Sequence, residues 1–184
     1  IEISKVSFKE DLTNGKLTVD NDSLIKNLTN SKSSRIDIGS GDRLTVENSF
    51  EIPANIKLQF VGAGSGRMQI NDTLTLSGTI DFVAPNYRLD NGTIALNGGN
   101  LKINEDTTVA SDIQHLNDST VIVDTGKKLT YNGDVLEIGD NTLKMSGGGD
   151  FYNTGSLKLS HEDSVLKLDG ISKVEHVTFG ENLT

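Results

Sequence analysis

Pairs of apolar residues separated by a single residue recur about every seven positions along this chain. Alternation of that kind builds strands with one buried face. Taken in threes, the pairs fall into columns whose members lie about 20–23 residues apart. The first column runs Ile36/Ile38, Leu58/Phe60, Ile80/Phe82, Leu101/Ile103, Val121/Val123, Leu143/Met145 and Leu166/Leu168. The second runs Leu44/Val46, Met68/Ile70, Tyr87/Leu89, Val109, Leu129/Tyr131, Phe151 and Ile171/Val174. The third runs Phe50/Ile52, Leu74/Leu76, Ile94/Leu96, Ile113/Leu116, Leu136/Ile138, Leu157/Leu159 and Val177/Phe179. A repeat of this period marks a stacked-coil fold.

The physics favours stacking. One coil of three short strands cannot bury its own apolar row, so the next coil must cover it and pair with its backbone in parallel. The sequence therefore predicts an all-β, single-stranded parallel β-helix (a β-solenoid). It has three short strands per coil and about 21–22 residues per coil, and about eight coils make a rod of some 40 Å. An antiparallel sandwich shares the short strands and frequent turns. It predicts hairpin alternation rather than three columns held in phase. Near Val109 and near residues 153–155 a strand lacks one apolar partner, which predicts a bulge or a short strand.

Turn residues sit between the columns. Gly39-Ser40-Gly41-Asp42, residues 62–66, Thr125-Gly126 and residues 147–150 follow the first strand; Ser77-Gly78, Asn97-Gly98-Gly99 and residues 139–141 follow the third. Such residues tolerate left-handed backbone or hydrogen-bond to it. The organisation expected is an irregular N-terminal part, residues 1–34, and a regular solenoid, residues 35–184. Within the first part Leu17/Val19 reads as strand. Asp20-Asn21-Asp22-Ser23 before Leu24, Ile25 and Leu28 reads as an N-capped helical turn. The start at Ile1-Glu2-Ile3, without Met, and an uncapped last coil predict an excerpt of a longer chain, because open strand edges invite pairing.

Composition narrows the function. With 34% hydrophobic and 5% aromatic residues and no Trp, the chain has little material for a globular core, but enough for a thin tube. A net charge of -9 without a basic block argues against nucleic acid and anionic membranes. No window approaches the roughly 18 apolar residues that a membrane span needs. The chain has no Cys, so it has no disulfide, thiolate metal site or Cys nucleophile.

The candidate motifs carry little chemistry. Gly62-Ala63-Gly64-Ser65-Gly66-Arg67 has the glycines of a phosphate loop, but Met68-Gln69-Ile70 reads as strand where such a loop needs a helix. Gly147-Gly148-Gly149-Asp150 is one degenerate copy of a calcium-binding glycine–aspartate repeat and reads as a turn. Acidic turn residues Asp42, Asp106, Asp140 and Asp163 could supply calcium ligands, but they occupy different corners. His115, His161 and His176 lack metal spacing and read as charge-paired surface residues. The outward positions, with Asp37, Asp81, Lys102 and Lys144 in the first column, Thr45, Gln69, Arg88, Thr108 and Thr130 in the second, and Glu51, Thr75, Ala95, Gln114, Glu137 and Lys158 in the third, gather no pair of acids for glycoside chemistry. Sequons stand at Asn21, Asn27, Asn71, Asn91, Asn117 and Asn182; in a eukaryotic secreted protein they would imply glycans.

Residues 73–79 (TLTLSGT) and 91–103 (NGTIALNGGNLKI) resemble the repeats of bacterial autotransporter and haemagglutinin-type passenger domains. The resemblance covers about residues 35–180 and is one of repeat style. It implies a right-handed β-helix at the cell surface, with an adhesive or spacer role, and it carries over no functional residue. The function expected is a non-enzymatic structural or adhesive module of a large surface or secreted protein. No catalytic or metal residues and no cofactor are expected. Its partners would be a host-cell, matrix or glycan surface, or neighbouring copies through the end coils. A polysaccharide-binding or -cleaving β-helix and a filament or sheath subunit are the alternatives.

Overall fold

The computed structural model describes residues 1–8 and 16–175, and among these every regular element is a strand. The chain opens with β1 (Glu2–Phe8), β2 (Leu17–Val19) and β3 (Ser23–Asn30). Two three-strand coils follow: β4 (Ser34–Ile38), β5 (Arg43–Val46) and β6 (Phe50–Ile52), then β7 (Lys57–Val61), β8 (Arg67–Ile70) and β9 (Thr73–Leu76). In the next two coils the second and third strands run together: β10 (Thr79–Phe82) with β11 (Tyr87–Asn97), and β12 (Asn100–Ile103) with β13 (Thr107–Asn117). Three-strand coils then resume with β14 (Ser119–Val123), β15 (Lys128–Tyr131) and β16 (Val135–Ile138). After them come β17 (Thr142–Ser146), β18 (Asp150–Asn153) and β19 (Ser156–Leu159), and last β20 (Val165–Asp169) and β21 (Lys173–Glu175).

Each strand pairs in parallel with its counterpart one coil away. The first strands form an eight-stranded sheet, and the second and third strands form a thirteen-stranded one. This is a parallel β-solenoid of about eight turns, each turn three strands around one continuous apolar core.

The columns survive, but at three coil-to-coil steps, two in the first column and one in the second, they slide by two residues. Ile36 stands opposite Phe60 and Ser34 opposite Leu58. Val121 stands opposite Met145 and Ser119 opposite Leu143, while Met68 faces Leu89 rather than Tyr87. A two-residue offset keeps every inward side chain inward, so the alternation does not report it. At the two slides in the first column, small hydroxyl residues fill the inward places. Ser34 Oγ donates to Asn30 Oδ1 at 2.9 Å, and Ser119 Oγ to the Asn117 carbonyl at 2.7 Å. At Val109 Thr107 is the inward partner and β13 itself runs unbroken, while the expected irregularity falls just beyond, where the β11–β13 pairing shifts register between Asp90 and Thr93. At the other expected fault, Asn153 itself points inward opposite Tyr131.

Two sequence expectations need correction. Residues 23–30 form strand, not a helical turn, because β1 lies alongside on one side and β5 on the other, and extended backbone satisfies both ladders. In the third column His115, not Leu116, stacks between Leu96 and Ile138; His115 is 2% exposed and Leu116 42%. Val177/Phe179 of that column lie outside the described residues.

The core is densest where the chain is most aromatic. The Phe60 and Phe82 rings stack at 4.9 Å and 8°, and Tyr87 tilts against Phe60 at 5.2 Å. The Tyr87 hydroxyl accepts the Ile38 N–H at 2.8 Å and donates to the Val61 carbonyl at 2.7 Å. It thus serves backbone at the end of the β4–β7 pairing, which closes at Asp37 and Val61. At the corner inside β11, Asn91 and Gly92 take positive φ of 57° and 59°. A Cβ on Gly92 would lie 2.5 Å from the Asp72 carbonyl oxygen, so only glycine fits there.

Candidate functional site

Side chains fill the tube along most of its length, apart from a cavity of about 220 Å³ at the first coil lined by Ile3, Leu17, Val19, Ile25 and Leu44, so the polar side chains gather on the outer faces and corners. The glycine-rich run at residues 62–66 is a tightly stacked corner. The Ser65 N–H donates to the Pro85 carbonyl at 3.0 Å, and a Cβ on Gly64 would lie 2.2 Å from that oxygen. Strand β8 follows it, so no helix N-terminus faces an anion there.

The acidic turn residues serve neighbouring backbone and side chains. Asp106 Oδ1 accepts the Lys128 N–H at 2.9 Å, and Asp140 Oδ1 accepts Asn141 Nδ2 at 2.7 Å. The Asp42 N–H closes its own turn on the Gly39 carbonyl. Among the described residues no three His, Asp or Glu side chains converge as metal ligands.

The histidines divide. His161 is an exposed turn residue whose Nδ1 accepts the Asp163 N–H at 3.1 Å and lies 3.6 Å from the Asp163 carboxylate. His115 is a core residue, and among the described residues neither ring nitrogen makes a hydrogen bond of good geometry, the Thr142 backbone offering a weak one. Burial pushes its pKa below the ordinary imidazole range, against a weaker upward pull from the Asp118 carboxylate and the Thr142 backbone. His176 lies outside the described residues.

The outward face of the eight-stranded sheet centres on Asp81, only 2% exposed although it points away from the core. Gln59 Nε2 donates to its Oδ2 at 2.9 Å, Asn104 Nδ2 to its Oδ1 at 2.6 Å, and Lys57 Nζ lies 3.7 Å away. A carboxylate with donors on both oxygens is a structural clasp between coils.

The third outward column keeps the order read from the sequence, Glu51, Thr75, Ala95, Gln114, Glu137 and Lys158. Here Thr93, Asp112, Gln114, Glu137 and Lys158 border an open groove of about 340 Å³. Its two carboxylates are engaged: Asp112 Oδ1 accepts the N–H groups of Asp134 and Val135, and Glu137 lies 3.4 Å from Lys158 Nζ.

The second outward column differs from its sequence reading. The slide between β8 and β11 puts Arg88 beside Arg67, not Gln69, and Arg67 beside Arg43. Three arginines therefore stand in register on successive coils, followed in the same column by Thr108, Thr130 and Tyr152. Arg43 Nη2 reaches Asp22 Oδ2 at 3.1 Å, and Arg88 Nε pairs with Asp90. The Arg67 guanidinium is exposed and has no partner among the described residues. Sequence reasoning missed this ladder because it depends on register.

Two sequons are committed to the coil. Asn27 Nδ2 donates to the Ser4 carbonyl at 3.0 Å, and Asn117 Nδ2 donates to Asn97 Oδ1. Asn71 and Asn91 are exposed, and Asn182 lies outside the described residues. Compared with protein-family models, with curated proteins and with solved structures, the chain matches none.

Proposed function

We propose that this chain is a non-enzymatic module of a large bacterial cell-surface or secreted protein, of the autotransporter or haemagglutinin passenger type. It acts as a rigid stalk whose outer faces make contacts. One observation carries the reading: about eight coils share a single core, so the molecule presents long, regular faces. The carboxylates of the groove at Asp112 and Glu137 support it further, since each already binds backbone or a lysine, whereas a glycosidase needs one acid and one base free to exchange protons.

The test is protease shaving of intact cells of the source organism. Peptides of this chain should be released from whole cells or found in the medium; recovery only after lysis would overturn the proposal. A reducing-end assay on plant and bacterial polysaccharides should give no turnover with the purified chain, and measurable cleavage would contradict the non-enzymatic part.

A further inference from the structure

The arginine column is the part of the surface that folding alone explains least. Like charges directly opposed on neighbouring strands destabilise a sheet. The adjoining column alternates in sign: Asp106 accepts the Lys128 backbone N–H, Lys128 stands opposite Asp150, and Asp150 opposite Lys173. Arg43, Arg67 and Arg88 instead repeat one charge at the coil spacing of about 4.8 Å. Their neutralisation is partial, with Asp22 at one end and Asp90 at the other, and Arg67 in the middle is unpaired among the described residues. Beside Arg43 the surface dips into a groove of about 330 Å³ bordered by Thr45, Asp22 and Glu2, the last paired with Lys26.

We propose that Arg43, Arg67 and Arg88 form a recognition strip for a uronate-bearing polysaccharide lying along the solenoid axis. This rests on reading the chain as a contact-making surface module. A guanidinium fork matches a planar carboxylate with two parallel hydrogen bonds. Strand pairing fixes the spacing of the three forks beforehand, so binding orders little backbone. A linear array of cations suits an extended polymer that carries its charges at intervals. Farther along the column, Thr108 and Thr130 offer hydroxyls that can donate and accept, and Tyr152 offers a ring face for a sugar. Duplex DNA fits less well. It carries a charge about every 1.7 Å, too dense for three arginines on a chain of net charge -9.

The experiment is calorimetric titration with polygalacturonate oligomers at physiological salt. Wild-type chain should bind, and R43Q/R67Q/R88Q should bind at least about tenfold more weakly, some 1.4 kcal/mol. K102Q/K144Q/K167Q, which removes the same charge from the other sheet, should stay within about twofold. Arg67→Gln alone should lose a measurable part of the affinity while touching no internal ion pair, and circular dichroism should show an intact β spectrum in every variant. No binding by wild type, equal loss in both triple variants, or equal or tighter binding of duplex DNA or of dextran sulfate matched in charge per sugar would overturn the proposal. Failure here with the chain still released by shaving removes the ligand and leaves the surface module. Failure of shaving removes the module whatever the titration shows.

Discussion

The coils from Arg35 to Asn97 and those from Asn100 to Glu175 solve the same stacking problem in different ways. The earlier coils hold the aromatic stack of Phe60, Phe82 and Tyr87 inside and carry like-charged arginines outside. The later coils accept polar residues inside, with Ser111, His115, Ser119 and Asn153 all buried. Outside, both stretches pair opposite charges between coils, Lys57 with Asp81 at 3.7 Å in the earlier and Lys127 with Glu105 at 2.6 Å, Lys144 with Asp169 at 2.9 Å and Lys158 with Glu137 at 3.4 Å in the later, but the run of like charges belongs to the earlier coils. The difference is one of degree: the like-charged run stands over the coils with the aromatic stack, and most of the buried inward polar side chains lie in the later coils, although Ser34, at the start of β4, is one in the earlier.

The largest test of this contrast is Phe60→Ala. Deleting a ring stacked on one side and tilted against on the other should cost about 3–5 kcal/mol in urea unfolding. A cost below about 1 kcal/mol would show that the earlier coils have no special reserve. Tyr87→Phe isolates the polar part of the same cluster. It leaves the Ile38 N–H and the Val61 carbonyl without their phenol partner and should cost about 1–3 kcal/mol, with the ring packing kept.

The later coils should respond with the opposite sign. His115→Leu removes two buried nitrogens, placed between Leu96 and Ile138, that lack well-formed hydrogen bonds, and should stabilise the chain by about 1 kcal/mol at neutral pH. The pH dependence follows from linkage. The folded imidazole titrates below its unfolded value of about 6.5, so the unfolded chain binds the extra proton first as pH falls. Wild type should therefore lose stability below about pH 6.5, and His115→Leu should remove that component of the loss. Asp118, at the turn after β13, is the charged group that faces the ring; β11 and β16 contribute Leu96 and Ile138, and β17 only the Thr142 backbone. An unchanged pH profile in the variant would show that the ring is already solvated.

The smallest effects lie on the surface. Lys128→Gln breaks an alternating column and should destabilise by a few tenths of a kcal/mol, whereas Arg67→Gln relieves a like-charged one and should be neutral or slightly stabilising. Equal losses from both, measured by thermal unfolding at low salt, would erase the distinction between the two exteriors.

Much of this architecture is legible in the sequence, since inward alternation and glycine-rich corners are local properties. The third outward column, Glu51 to Lys158, is read in its true order because its coils stack without a slide. Register is different. It depends on how far one coil shifts along the next, and a shift of two residues leaves the inside–outside pattern untouched. The signal that was available lies in the small residues. Ser34-x-Ile36-x-Ile38 and Ser119-x-Val121-x-Val123 share one pattern, an inward hydroxyl before two apolar residues, and both mark a slide. Likewise, a strict count by two from Thr107 through Val109, Ser111 and Ile113 arrives at His115. Apolar preference points to Leu116 instead. The arginine ladder was hidden for the first of these reasons: Arg88 meets Arg67 only after the slide between β8 and β11.

That register is therefore the claim on which the exterior account depends, and the chain's lack of cysteine makes it directly measurable. Opposed residues on paired strands fall within the Cα separations that a disulfide spans, about 4.4–6.8 Å. Under mild oxidation the double variant R67C/R88C should cross-link rapidly and nearly completely, and Q69C/R88C slowly and in part. Faster bridging of Q69C/R88C would place Arg88 beside Gln69, break the ladder and contradict the account.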